Sequence, residues 1–262
     1  MSAKLVKSAL GRLLTSTGAF RRKIGKQETI TAFHRVNDFM PADDSLTCSP
    51  ATFRAFCTFF KEHYDVVRLS EQVRARREGK PTTGTLSITF DDGYLDNYAV
   101  AAPILKDLGL TATFFVTTGF VQSNSIPFWD RNLPKQPGWM NWEQVRELAD
   151  GGFDIGCHTV THLDMGRCSP EQIRAELRES RAELEQRLGR PITLFAYPFG
   201  ARDNITETSR GIVREEGFDC CVSCCGGVNS DATDLFELNR LPISHWFDTP
   251  FQMATEIVLD KV

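Results

Sequence analysis

Two carboxylates stand side by side in the stretch SITFDDGY, where Asp91 and Asp92 close an apolar run and Gly93 follows. Neighbouring carboxylates repel. A strand end that presents two of them beside a residue able to turn sharply aims acids at something positive, and a metal ion meets that need. Further on, HTVTH spaces His158 and His162 four apart, so one helical turn or a tight loop brings both imidazoles to the same ion. Two imidazoles and one carboxylate form a three-ligand set that leaves a position open for water, as catalytic zinc requires. The other carboxylate is then free to act on that water. HTVTH lacks the glutamate of an HExxH site, so the base comes from elsewhere in the chain.

Such residues need elements to position them, and the sequence supplies a regular alternation. TITAFH, YDVVRL, TLSITF, TATFFVT, FDIGCH, ITLFAYP, FDCCVS and FELNRLPIS read as strands. Between them SPATFRAFCTFFKEH opens a helix at Ser49 with Pro50 just inside, and NWEQVRELADGG opens one at Asn141. Residues 169–189 form a long amphipathic helix with Ile173, Leu177, Leu184 and Leu188 on its apolar face. Residues 119–140 have no clean period and read as a long functional loop. This pattern predicts a single α/β domain with a parallel sheet, closed as a barrel or doubly wound, whose chemistry gathers at the carboxyl ends of the strands. The rarer polar residues fall at those ends: His34, Asp91, Asp92, His158, Tyr197 and His245. With His162, four of the five histidines belong to that set.

Composition excludes several classes. With 41% hydrophobic and 24% charged residues the chain is ordinary globular protein. Residues 1–27 carry seven cations and no acid; removing them from the total of −4 leaves −11 for residues 28–262, which offers no surplus to a nucleic-acid backbone. Lys7 and Arg12 interrupt the leader, so it reads as neither a secretory signal nor a membrane span. The expectation is a protein that is cytoplasmic or associated with the inner membrane from the cytoplasmic side. Residues 1–27 would form a basic amphipathic segment with Leu5, Ala9, Leu13 and Phe20 on one side, set against an anionic bilayer or packed on the body. Eight cysteines in a chain of this length are no disulfide scaffold, and Cys220, Cys221, Cys224 and Cys225 are expected in a buried small-residue strand.

These motifs resemble those of the polysaccharide deacetylases, the NodB-homology or carbohydrate esterase family 4 proteins. TFDDGY matches the first motif of that family and HTVTH the second; FAYPFG is similar to the third and LPISH to the last. The resemblance runs from about Thr29 to His245, and its first two motifs together are specific. It implies a distorted (β/α) barrel over residues 28–262 and metal-dependent removal of an acetyl group from an amino sugar. It also implies that Asp91 is the general base, that Asp92 ligates the metal with His158 and His162, and that His245 is the general acid. The backbone N–H of Phe199 would help hold the oxyanion. Two departures stand out. Ala196 occupies the place of the arginine that orients the base, with Arg240 or Arg202 as replacements, and no Asp-Trp pair partners the histidine acid, although Trp246 and Asp248 lie near it.

The expected activity is therefore N-deacetylation of N-acetylhexosamine units in a polysaccharide or its lipid- or nucleotide-linked precursor. His34, Trp129, Tyr197 and Arg240 are expected to contact substrate. The cofactor is a divalent metal, Zn2+ first, with Co2+, Ni2+ or Fe2+ also suited to mixed imidazole and carboxylate ligands. The same scaffold suits hydrolysis of formyl groups, other amides or imides, or glycan binding without turnover.

Overall fold

The computed structural model describes residues 3–39, 41, 44–244 and 247–261. The strands among them are β1 (Thr29–Phe33), β2 (Arg35–Val36), β3 (Thr47–Cys48), β4 (Asp65–Val66), β5 (Thr85–Phe90), β6 (Thr113–Val116), β7 (Asp154–Cys157), β8 (Leu194–Ala196), β9 (Cys220–Val222) and β10 (Leu241–Pro242). The helices are α1 (Ala3–Ser16), α2 (Ala19–Ile24), α3 (Pro50–His63), α4 (Leu69–Arg77), α5 (Ala102–Leu108), α6 (Trp142–Asp150), α7 (Pro170–Leu188), α8 (Glu207–Glu215) and α9 (Pro250–Val258). One all-parallel sheet runs in the order β10-β1-β5-β6-β7-β8-β9, with β4 beside the lower end of β5. Its two end strands do not ladder together, so the sheet curls into a distorted (β/α) barrel with a seam between β9 and β10. The small ladder of β2 and β3 stands apart, after the end of β1.

Side-chain alternation along β5 decides what lies inside. Leu86, Ile88 and Phe90 join the large core beneath the helices, where Phe90 stacks on Phe33 at 5.4 Å and on Phe114 at 4.9 Å. Ser87 and Thr89 take the other face: Thr89 donates to the Thr31 carbonyl at 2.7 Å, and Ser87 bonds Gln72 of α4 at 2.7 Å. Leu69 and Val73 of α4 pack with Ile30, Phe115 and Leu194 in a second apolar cluster. The buried hydroxyls of Ser87 and Thr89 thus have partners, as a dry interior favours.

The stretch LDNYAVAAPILKDLG begins with a π-helical turn at Asn97–Ala101 before α5, whose first turn holds Pro103. That turn lets Asn97 donate to the His34 carbonyl at 2.7 Å. FDCCVS is shorter than expected: Cys220–Val222 form β9, while Cys224 and Cys225 leave the sheet.

Helix α1 packs on α9 through Gly11, its one buried residue. Gly11 lies so close to α9 that a Cβ there would come within 1.8 Å of the Phe251 carbonyl oxygen. Lys4 pairs with Asp248, Lys7 with Glu256 and Lys23 with Asp260, and Thr255 donates to the Lys7 carbonyl. The side bearing Leu5, Val6 and Leu13 consequently turns outward, whereas Phe20 is fully buried, so the expected common apolar side is divided. Among the described residues no helix is long and apolar enough to cross a membrane.

Candidate active site

Asp91 continues the inner face of β5 after Ser87 and Thr89. A regular strand would send Asp92 to the opposite face. Instead Asp92 adopts φ 73° and Gly93 φ 91°, and the turn brings both carboxylates to one pocket. His158 directly follows β7 and donates from Nδ1 to the Ala196 carbonyl at 2.8 Å, which leaves the lone pair of Nε2 facing Asp92. The turn to His162 is tight, with Thr159 at φ 64° and His162 at φ 59°. Glu176 of α7 ties it down, accepting from the N–H groups of Val160 and Thr161 at 2.7 and 2.9 Å and from the Thr161 hydroxyl at 2.7 Å. Nothing in the sequence distinguishes Glu176 from the other acids of that helix.

Asp92 Oδ1 lies 3.4 Å from His158 Nε2 and 3.3 Å from His162 Nε2. It is buried and has no hydrogen-bond partner among the described residues. Bonds of roughly 2.0–2.2 Å at a tetrahedral angle would separate two ligand atoms by roughly 3.3–3.6 Å, so this donor set fits a divalent cation. Burial alone would raise the Asp92 carboxyl, but the adjacent imidazoles outweigh it and hold the group below the usual carboxylate range. Burial pushes His162 down to about 4, which keeps its ring neutral and its lone pair available near pH 7.

Behind Asp91 stands Arg240, whose guanidinium bonds both carboxylate oxygens at 2.7 and 2.6 Å. Its remaining donors reach the Ser223 carbonyl at 2.6 Å, Thr89 Oγ1 at 3.0 Å and Cys224 Sγ at 3.1 Å. Burial opposes the charge on Asp91, and Arg240 more than offsets it, so the carboxyl titrates below its ordinary range. Arg240 is fully buried beneath Asp91. The expectation that it touches substrate is corrected: it supplies the positive partner missing at Ala196, while Arg202 is exposed in a short 3-10 turn. Tyr197 is corrected likewise, for it is buried beside Phe195 and donates to the Phe236 carbonyl at 3.2 Å.

The pocket above these groups has a volume of about 370 Å³. His34 lines it, with Nε2 3.9 Å from Asp91 Oδ2. Trp129 lines it too, its ring 4.7 Å from that of His162 and its Nε1 donating to Tyr94 at 2.9 Å. Phe199 adopts φ 61°, its ring lines the pocket, and its backbone N–H has no hydrogen-bond partner among the described residues. His245 lies outside the described residues; Ser244, which precedes it, lines the pocket. Among the lining residues that escaped the sequence reading are Ser45, Leu46, Phe128 and Cys224. Burial raises the Cys224 thiol to about 11, so it is no nucleophile near neutrality, and among the described residues the cysteines form no metal-binding group.

Comparison with known proteins agrees with this architecture. The sequence model of the polysaccharide deacetylase family matches residues 78–220, and the chain belongs to that family. The chain is 27% identical to YxkH of Bacillus subtilis (strain 168) over 168 residues, 64% of this chain and 54% of that protein. It is 29% identical to the peptidoglycan-N-acetylmuramic acid deacetylase PdaA of the same organism, over 50% of this chain and 43% of PdaA. The chain thus spans about half the length of each of these curated relatives. Among solved structures, Streptococcus pyogenes deacetylase PplD in complex with acetate superposes with a TM-score of 0.74 at 27% identity, covering 90% of this chain and 97% of that one.

Proposed function

We propose that this protein is a metal-dependent N-deacetylase acting on N-acetylhexosamine units of a polysaccharide or its precursor. The observation that carries this reading is the convergence of Asp92 Oδ1 with the Nε2 atoms of His158 and His162 beside a second, ionised carboxylate. A divalent cation held by Asp92, His158 and His162, zinc first, would lower the pKa of water to about 7 and polarise the acetyl carbonyl. Asp91 takes the proton as water attacks the acetyl carbon, and Arg240 keeps that carboxylate charged and aimed. The N–H of Phe199 donates to the developing oxyanion; one such donor is typically worth ~10²–10³ in rate. When the C–N bond breaks, His245 gives its proton to the leaving nitrogen, and the products are acetate and a free amine.

Asp91→Asn tests the assignment. The metal-loaded variant is expected to keep its metal by elemental analysis and to lose acetate release by a factor on the order of 10²–10⁴. Wild-type turnover by that variant refutes Asp91 as base. Should the wild-type protein free neither acetate nor formate from N-acyl sugars, the hydrolytic reading itself fails.

A further inference from the structure

Arg35 immediately follows the pocket-lining His34, yet its side chain is only 1% exposed and points away from that pocket into a cluster of acids. One guanidinium nitrogen bonds both carboxylate oxygens of Asp44 at 2.9 Å, another bonds Asp130, and Nε bonds Thr47 Oγ1 at 3.0 Å. The two acids belong to different segments. Asp44 precedes Ser45 and Leu46, and Asp130 follows Phe128 and Trp129; all four of these neighbours line the pocket. Tyr94, two residues beyond Asp92, completes the knot: its hydroxyl donates to Asp130 at 2.9 Å and accepts from Trp129 Nε1.

The knot supports an aromatic panel at the mouth of the pocket. Phe128 and Phe199 lie at 6.2 Å and 27° to one another, and Trp129 stands edge-on to both, at 5.0 and 5.9 Å. Phe128 is 62% exposed and Phe199 39%, although both are large apolar rings beside a polar site. Exposed apolar surface of this kind marks a place where a ligand docks, and the C–H face of a pyranose suits an aromatic ring. Burying an arginine between carboxylates adds little net stability but specifies geometry, and a single ammonium could not span both arms.

We infer that Arg35 is a positioning residue for the glycan: it fastens the two segments that wall the pocket and so sets the aromatic panel on which a sugar ring stacks. The inference rests on the deacetylase reading for the nature of the ligand. A tetramer of N-acetylglucosamine serves as probe, and its binding is followed by calorimetry in the Asp91→Asn background, where turnover does not intervene. Arg35→Lys and Asp130→Asn are expected to weaken binding about tenfold, the scale of one lost contact, with metal content unchanged. Phe128→Ala, which alters an exposed ring outside the core, is expected to do the same, and combining it with Arg35→Lys should add little. In the turnover-competent protein the same variants should raise KM for the tetramer about tenfold and change kcat less than about threefold. Unchanged affinity in Arg35→Lys and Phe128→Ala overturns the inference, as does loss of metal and kcat at constant KM. Failure of the deacetylase reading looks different: wild-type protein would bind the tetramer without releasing acetate. If Arg35→Lys does not fold, Asp130→Asn and Phe128→Ala decide the matter.

Discussion

Asp91 and Arg240 are the residues on which the proposed chemistry leans hardest. Both are enclosed, and each is the counter-charge that makes the other's burial tolerable. Replacing Arg240 with methionine would leave a carboxylate buried without a cation, a change that typically costs about 3–5 kcal/mol. Arg240→Met is therefore expected to lower the unfolding midpoint and abolish turnover, and Arg240→Lys to lie in between; a fully stable, active methionine variant would contradict the pairing. Around them, Asp92, His162 and Phe199 hold left-handed backbone conformations that cost of order 1–3 kcal/mol each for side-chain-bearing residues. That strain sits where the carboxylate, the imidazole and the free N–H must face one pocket. The DD pair and HTVTH were legible because each is a short, local pattern of rare residues. The guanidinium behind Asp91 was harder to place, since Arg240 is 149 residues away and only the pairing of β1 with both β5 and β10 brings them together.

Among the elements, helix starts were the most readable features. Ser49, Asn141 and Ser169 all cap as their side chains suggest, accepting from Thr52, Gln144 and Gln172. Contacts between helices were not readable. Glu216, just after α8, accepts from Arg178 at 2.8 Å through both of its oxygens and from Arg174 of the same helix α7 at 3.0 Å. Arg178 holds the Glu216 carboxyl below its ordinary value of 4.5, so the stabilisation is fully present above that pH and fades as pH falls through the lower folded value. Glu216→Gln is expected to cost about 1 kcal/mol at neutral pH, or ~2–4 °C in Tm. The gap from wild type should close on acidification below 4.5. A gap independent of pH would assign the loss to packing instead. The long segment 119–140 gave only its irregularity; its fold over the site depends on Tyr94, which stacks on Trp139 at 4.5 Å and bonds Trp129.

At the scale of the whole molecule, the site joins β5 to the turn after β7 across the intervening β6. Any ion held by Asp92, His158 and His162 binds the folded chain alone and stabilises it by mass action. At free zinc about 100-fold above its dissociation constant, the gain is about 2.7 kcal/mol, several degrees in Tm. Thermal unfolding with zinc and with a chelator measures this, and Asp92→Asn should erase the difference. Equal midpoints in the wild-type protein would count against the metal site.

The order of strands and helices, the strand-end location of the rare polar residues and the convergence of the Asp-Asp pair with two histidines were all carried by local sequence: hydrophobic period, cap residues and motif spacing act over a few residues and leave local traces. Which cation stands behind Asp91, that Tyr197 is buried, that α1 turns Leu5 and Leu13 outward and that Arg35 binds two walls together were decided by tertiary structure. Those facts depend on which distant segments share a face, and that is set by the curl and register of the sheet.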